Sequence, residues 1–181
     1  EIEIDEEHKD LKNFCYVFIG DTLYQREGDR LRARDIAKTN VERMRALIGL
    51  REQVRTVLNV QLDNCSDEVL RREQSVLNSR YDSFVRKYGI VNSRTNRGLF
   101  REDADFALLI SIEDVDEKSG TAKKTDVFSK RTIKPYEKIT HCDSALQALY
   151  VCKSEKGQID LKYIEELTGK RLSLIHISEP T

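Results

Sequence analysis

Hydrophobic residues recur at helical spacing through the middle of the chain. From residue 41 to residue 62 they stand mostly three or four positions apart and form one stripe: Val41, Met44, Leu47, Ile48, Val54, Val57, Leu58 and Leu62. A second stripe of the same kind follows: Val69, Leu70, Val76, Leu77, Tyr81, Phe84, Val85 and Tyr88. Two long helices joined by a short turn must lie antiparallel. The pattern therefore predicts a helical hairpin over residues 39–88.

Polar residues indicate where the two helices begin and end. Thr39 or Asn40 can cap the first helix and Ser66 the second, because their side-chain oxygens accept hydrogen bonds from free backbone N–H groups. Gly89 stands where a left-handed C-terminal cap is expected. These positions give both helices definite ends.

The polar side of the first predicted helix is rich in arginine. It comprises Arg43, Arg45, Arg51, Glu52 and Arg55. Charged side chains of this kind are mostly exposed, so we expect this side to face solvent. Phosphate contact is the less favoured interpretation.

Short β-favouring runs lie before and after the hairpin. The runs FCYVFIG, DTLYQREG and DRLRAR, separated by Gly-Asp pairs, predict a meander of two or three strands, preceded by a frayed end at residues 1–10. After the hairpin we expect a short helix and then a strand to about Asp116. A turn at residues 117–120 and a returning strand over residues 121–133 complete the second β element.

The last native segment reads as two short helices. Asp143 or Ser144 can cap the first, and Asp160 the second, which ends at Gly169. Leu161, Ile164 and Leu167 of the second helix are expected to point inward. The pair resembles a helix-turn-helix, but the second helix also carries Glu165 and Glu166, which are unfavourable against phosphate. We therefore expect it to pack rather than to read a groove.

Basic residues concentrate in a loop after the hairpin and in the β element that follows it. The candidate nucleic-acid contacts are Arg94, Asn96, Arg97, Arg101, Lys123, Lys124, Lys130 and Arg131. Two alternatives remain open. The loop asparagines can cap turns and the lysines can guard an edge strand. The basic side chains can also be neutralised by the acidic stretches at residues 102–105 and 113–117.

Composition limits the classes of function. Lys plus Arg is 31 and Asp plus Glu is 32, which gives a net charge of −1, so any nucleic-acid binding must be local. The four cysteines include no C-x-x-C pair, which argues against a zinc site and favours reduced thiols in a cytoplasmic protein. No run of eighteen apolar residues occurs, so no membrane partner is expected.

Three segments carry a resemblance to one family. They are LNSRYDSFVRKYG with NSRTNRGLFRED; the group Gly20, Tyr24, Arg26, Glu27 and Gly28; and the pattern K-x-D-x-F-x-K-R-x-I beginning at Lys124. Together they resemble the region that connects the two catalytic parts of large DNA methylase–helicase proteins of phages and conjugative elements. These proteins join an adenine-specific DNA methylase to a Swi/Snf-type (DEAD/DEAH-like) helicase.

The resemblance implies activities for a parent protein rather than for this chain. The parent is expected to use ATP with Mg²⁺ and S-adenosylmethionine in a bacterial or phage-infected cell. This chain contains no phosphate-binding G-x-x-x-x-G-K-[ST] loop and no glycine-rich turn for a methyl donor. Its prolines are Pro135 and Pro180, so the aromatic Pro-Pro motif of amino-methylating enzymes is absent as well. No catalytic residue and no cofactor are therefore expected here.

Two functions remain. The first is a non-catalytic connector that contacts DNA or docks the helicase and methylase domains of the same chain. The second is a stand-alone coiled-coil or helix-turn-helix module with a regulatory or interaction role. A helicase phosphate loop in the continuing reading frame would distinguish the first from the second.

The C-terminal residues LSLIHISEPT match what a transposase mosaic-end sequencing adaptor encodes in one frame. We therefore interpret residues 172–181 as an adaptor-derived tail of a metagenomic fragment. The predicted fold is α+β, in five parts: a small β meander at 1–38, the helical hairpin at 39–88, a basic loop and β hairpin at 89–140, a two-helix unit at 141–171, and the tail.

Overall fold

The computed structural model of the protein describes residues 1–134 and 139–169. The fold is α+β, as the sequence predicts, and the chain divides into two units, Glu1–Pro135 and Tyr136–Thr181. The tail predicted at residues 172–181 lies outside the described residues. The finer division into five parts stays a prediction.

A four-stranded antiparallel sheet opens the first unit. Its strands are β1 (Ile2–Glu3), β2 (Tyr16–Ile19), β3 (Thr22–Glu27) and β4 (Arg30–Arg34), in the order β1-β4-β3-β2. The predicted meander is confirmed in β2 to β4. The expectation of a frayed N-terminus was wrong at β1, because Ile2 and Glu3 pair with Leu31 and Arg30 and extend the sheet by one strand.

The helical hairpin consists of α1 (Val41–Leu62) and α2 (Asp67–Tyr88). Ser66 caps α2 as predicted, since its hydroxyl accepts a hydrogen bond from the Val69 N–H at 3.3 Å. The predicted side-chain cap of α1 is not formed: Asn40 occupies the N-cap position without a side-chain cap bond. At the end of α2, Gly89 has the positive φ expected of it, 75°, but its ψ of −172° lies outside the left-handed helical region.

The segment after α2 contains a helix that the sequence analysis did not predict. Residues 89–102 were expected to form a loop, but α3 (Arg94–Phe100) lies within them and Ser93 caps it. Next come α4 (Phe106–Ile110) and β5 (Glu113–Asp116), in the predicted order of helix and then strand. The returning strand β6 (Thr121–Lys124) pairs with β5 but is shorter than predicted, because a 3-10 turn at Asp126–Phe128 replaces its second half.

The second unit contains α5 (Ala145–Lys156) and α6 (Leu161–Thr168). The predicted caps Ser144 and Asp160 are both formed, and Gly157 and Gly169 end the helices in the left-handed region. Ile164 and Leu167 point inward as predicted, together with Tyr163. Leu161 was wrongly placed in the core, because its side chain is exposed.

Each unit has its own apolar core. The core of the first is formed by α1 and α2 with residues from the sheet, α3, α4 and the 3-10 turn, including Leu47, Leu77, Phe84, Phe100 and Phe128. The core of the second is a small cluster around Ala148, Cys152 and Ile164. Within residues 1–134 and 139–169, no helix is both long and apolar enough to cross a membrane.

Candidate nucleic-acid interface

Three arginines form an exposed stripe along α3. Arg94 and Arg97 lie in α3, and Arg101 is its C-cap residue with helical backbone angles. Their three- and four-residue steps place them on the same side of the helix. Arg97 donates a long 3.4 Å hydrogen bond to the Asn92 side chain, and its guanidinium lies 5.7 Å from the centre of the Phe106 ring. Among the described residues, no carboxylate lies within ion-pair distance of any of the three. The stripe therefore presents three uncompensated positive charges.

The asparagine within the same stretch has a different place. Asn96 is 1% exposed, and its amide donates to the backbone carbonyls of Tyr88 at 3.2 Å and Ile90 at 2.8 Å. This side chain ties the first turn of α3 to the C-terminal end of α2. It therefore positions the arginine stripe rather than belonging to its exposed surface.

A buried carboxylate fixes the chain that leads into α3. Glu113 of β5 accepts hydrogen bonds from the Tyr81 hydroxyl at 2.9 Å and from the backbone N–H groups of Val91 and Asn92, both at 2.8 Å. Burial, together with the hydrogen bond to Glu113, raises the pKa of Tyr81, so its hydroxyl stays a donor. The orientation of α3 thus depends on a polar contact between α2, β5 and the connecting loop.

The predicted basic residues of the second β element are mostly paired. Lys124 lies 2.6 Å from the Asp82 carboxylate, Lys130 lies 3.1 Å from Asp126, and Arg131 lies 3.1 Å from Asp67. Their acidic partners are not the neighbouring stretches considered from the sequence. Lys123 is exposed and stands opposite Asp114 in the register of β5 and β6. Lys124, Lys130 and Arg131 are therefore partly neutralised, unlike the α3 stripe, whereas Lys123 forms no ion pair with a described residue.

A buried network of charges underlies α3 and α4. Arg51 of α1 is 1% exposed; its guanidinium pairs with Asp103 and donates to the Tyr16 carbonyl at 2.9 Å. Asp103 also accepts from the Tyr16 N–H at 2.7 Å. Next to it, Asp105 pairs with Arg55. The prediction that the arginine side of α1 faces solvent was wrong for Arg51, and Arg55 is only partly exposed.

This network changes the protonation behaviour of its members. Burial, with a smaller contribution from Asp103, raises the pKa of the Cys15 thiol to about 11. Burial alone would raise the pKa of Asp105, but Lys12 at 2.8 Å and the Arg55 guanidinium outweigh it and hold that pKa below its usual range. The thiol is therefore neutral and the carboxylate ionised near pH 7. All four cysteines of the chain are free thiols in the structure.

The sequence pattern missed these buried charges because it treats every arginine on a helix as polar and outward. The spacing of Arg51 from Leu47 and Val54 offered one indication, since four-residue and three-residue steps place it on the apolar side.

At the surface, Asp5, Glu7 and His8 bring possible metal-ligand atoms within 4.8 Å of one another. Two of the three are exposed, and His8 already contacts Asp5 at 2.6 Å.

The C-terminal unit is a tight helix pair. The Tyr163 hydroxyl contacts Glu155 across the pair, and the Cys142 N–H donates to the Leu167 carbonyl at 2.7 Å. Lys153, Lys156 and Lys162 are exposed on the two helices. The unit therefore combines a small core with several exposed basic side chains.

Comparison with known protein families gives a match in this unit. Residues 141–173 match the family model described as the winged helix domain of a probable helicase. No curated protein and no solved structure matches the chain. The match supports a helicase-related region with a module of the DNA-binding type at the C-terminal end.

Proposed function

We propose that this chain is a non-catalytic, DNA-engaging segment of a helicase-related protein. The observation that carries the proposal is the match of residues 141–173 to a helicase winged helix domain. In the first unit, the α3 stripe of Arg94, Arg97 and Arg101 supplies the phosphate contacts. Winged helix domains belong to the helix-turn-helix class, whose members commonly bind DNA.

The electrostatics of the stripe support this role. Arginine donates to phosphate oxygens with strong, charge-assisted hydrogen bonds, and the α3 arginines have no competing carboxylate among the described residues. The paired cations of the second β element, by contrast, would first have to leave their aspartates. We therefore place the principal phosphate contacts on α3 and assign a smaller role to Lys124, Lys130 and Arg131, while Lys123 is a single additional cation.

Within the parent, the segment connects the catalytic parts and holds DNA beside them. Catalysis then belongs to other parts of the parent chain, a helicase that hydrolyses ATP and, as the sequence resemblance implies, an adenine-specific methylase. The chain's own contribution is binding without base selection, because an arginine stripe on a helix surface contacts the backbone of any sequence. Docking of the helicase and methylase domains is the second part of the same proposal.

The test is binding of a short DNA duplex at low salt, measured by fluorescence anisotropy. The test variant changes Arg94, Arg97 and Arg101 to alanine. We expect its affinity to fall at least tenfold. The slope of log K against log salt should also become shallower, by roughly 0.9 for each lost phosphate contact.

A matched control removes three arginines that are already paired. Arg30, Arg32 and Arg34 of β4 form ion pairs with Glu1 and Glu27, so their replacement by alanine changes the net charge equally without removing a free cation. Its affinity should stay within about threefold of wild type, as expected where phosphate neutralisation sets affinity. Absence of binding by the wild type, or equal loss in both variants, contradicts the assignment to α3.

A further inference from the structure

A groove of about 490 Å³ runs between α1 and α2 in the first unit. Its lining combines small residues, Ala46 and Gly49 from α1 with Ser79 and Ser83 from α2, with several cations. The axes of packed helices lie about 8–10 Å apart, so the groove between them is narrow. A groove between two directly packed helices therefore suits a single extended chain better than a double helix.

Two of the cations that line the groove are free to bind an anion. Arg80 donates one hydrogen bond, at 2.9 Å, to the Gly49 carbonyl, which holds its guanidinium over the groove and leaves its other N–H groups available. Lys87 lies 5.1 Å from the centre of the Tyr88 ring. Among the described residues, neither side chain has a carboxylate within ion-pair distance.

The other polar lining residues are consistent with phosphate. Ser79 and Ser83 are exposed residues, and serine hydroxyls are donors of the kind that contact phosphate oxygens. Arg45 also lines the groove but is bound to the Gly20 carbonyl at 2.6 Å and to Asp21. Glu42 is the acidic side chain among the lining residues, and it lies 3.9 Å from Arg45. Tyr88 and, to a smaller extent, the Glu42 charge raise the pKa of Lys87. Three cations, Arg45, Arg80 and Lys87, face this one carboxylate, so the lining residues carry a net positive charge.

The groove ends next to the arginine stripe. Tyr88 forms its last lining position, and the Asn96 amide of α3 donates to the Tyr88 carbonyl at 3.2 Å. Arg94 begins α3 six residues after Tyr88. The start of the stripe is therefore close along the chain to the Tyr88 end of the groove.

We infer that the groove between α1 and α2 binds one unpaired nucleic-acid strand, whose phosphates contact Arg80, Lys87 and the two serines. This inference rests on the proposed function and specifies its substrate: a strand that leaves a duplex at α3 continues along the helical hairpin. The contacts are to the backbone, so the site is indifferent to base sequence. Tyr88 has the Arg43 and Lys87 side chains beside its ring, so base stacking on it is not part of the site.

The experiment compares single strands with duplex, using the full chain. The probes are a 20-nucleotide oligo-dT, a 20-nucleotide oligo-U and a 20-base-pair duplex, and the test variant is Arg80→Ala with Lys87→Ala. We expect the affinity for both single strands to fall at least tenfold, and the affinity for duplex to change less than threefold. The salt slope for oligo-dT should become shallower by roughly 1.4, at about 0.7 for each contact with a single strand. If the variant loses affinity only for oligo-dT, the strand is assigned as DNA. If it loses affinity only for oligo-U, the strand is assigned as RNA.

Two further variants make the test specific. Lys38→Ala with Arg71→Ala removes the same two residue types from exposed positions outside the groove, and it should leave all affinities within twofold. Ser83→Glu places a carboxylate in the groove and should weaken single-strand binding while duplex binding persists. Circular dichroism confirms that each variant is folded.

The outcomes separate this inference from the proposed function. If the wild type binds duplex but the Arg80 and Lys87 variant binds oligo-dT as well as the wild type does, the groove assignment is wrong and the proposed function stands. If the Arg80 and Lys87 variant loses affinity equally for single strands and for duplex, the groove does not select single strands. The inference is then wrong as well. If the wild type binds neither probe, both proposals fail.

Discussion

At the scale of single residues, the buried pair of Arg51 and Asp103 decides how the first unit is held together. Both side chains are almost completely buried, and Asp103 also receives the Tyr16 N–H. Removing one partner leaves a charge in the core without compensation, which typically destabilises a protein by about 3–5 kcal/mol. The pair therefore contributes mainly by avoiding that penalty.

We predict that Arg51→Met lowers the free energy of unfolding by about 3–5 kcal/mol in urea denaturation. Adding Asp103→Leu should recover part of the loss, because no isolated charge then remains, although the Tyr16 and Asp105 N–H groups lose their acceptor. Arg101→Met, at an exposed position, should stay within about 0.5 kcal/mol of wild type. A double variant as unstable as the sum of the two single variants would show that the two residues are not coupled.

The burial and the partners of individual polar side chains were the features that the sequence predicted least well. The pattern identified Leu77 and Phe84 as buried because a three- or four-residue repeat is a local property. The burial of Arg51 depends on Asp103, which lies 52 positions away, and no local pattern contains that partner. Asn96 was likewise taken as a surface donor, whereas its amide bonds the backbone within eight residues.

At the scale of the helix, one side of α2 holds the hairpin together. Leu77 is 0% exposed, whereas its neighbour Val76 is 37% exposed on another side. We predict that Leu77→Asp unfolds the first unit, because an unpaired carboxylate cannot be accommodated in the core. Val76→Asp is the matched control and should lower the melting temperature only slightly. Thermal denaturation followed by circular dichroism at 222 nm compares them, and similar melting curves would place Leu77 at the surface.

The helices differed in how well they could be predicted. α1, α2, α5 and α6 repeat their apolar pattern over at least two turns, so their existence and approximate ends follow from sequence. α3 has 7 residues, including two arginines and one glycine. Its apolar residues are too few for a helical repeat to be recognised. The Ser93 cap and the burial of Phe100 in the core stabilise it. The burial of Phe100 is a tertiary contact, which a local sequence pattern does not contain. The helix that presents the candidate site was thus the one that pattern analysis missed.

At the scale of the whole molecule, the two apolar cores share no residue. We predict that Ile164→Asp unfolds the helix pair of the second unit while the first unit stays folded. In a ¹H–¹⁵N correlation spectrum, resonances of residues 141–169 should collapse to random-coil positions and those of α1 and α2 should persist. Leu161→Asp, at an exposed position of the same helix, should leave both sets unchanged. Loss of the α1 and α2 signals with Ile164→Asp would show that the two cores depend on each other.

The contacts of Asp103 also have a consequence for protein synthesis. Its carboxylate completes bonds with Tyr16 and Arg51, which precede it by 87 and 52 positions. A ribosome releases the N-terminal sheet and α1 long before residue 103 emerges, so the nascent chain carries an arginine whose acceptor has not yet been translated. We therefore expect the sheet and the hairpin to lack their native packing during elongation. They should reach it together once Asp103 has left the ribosome.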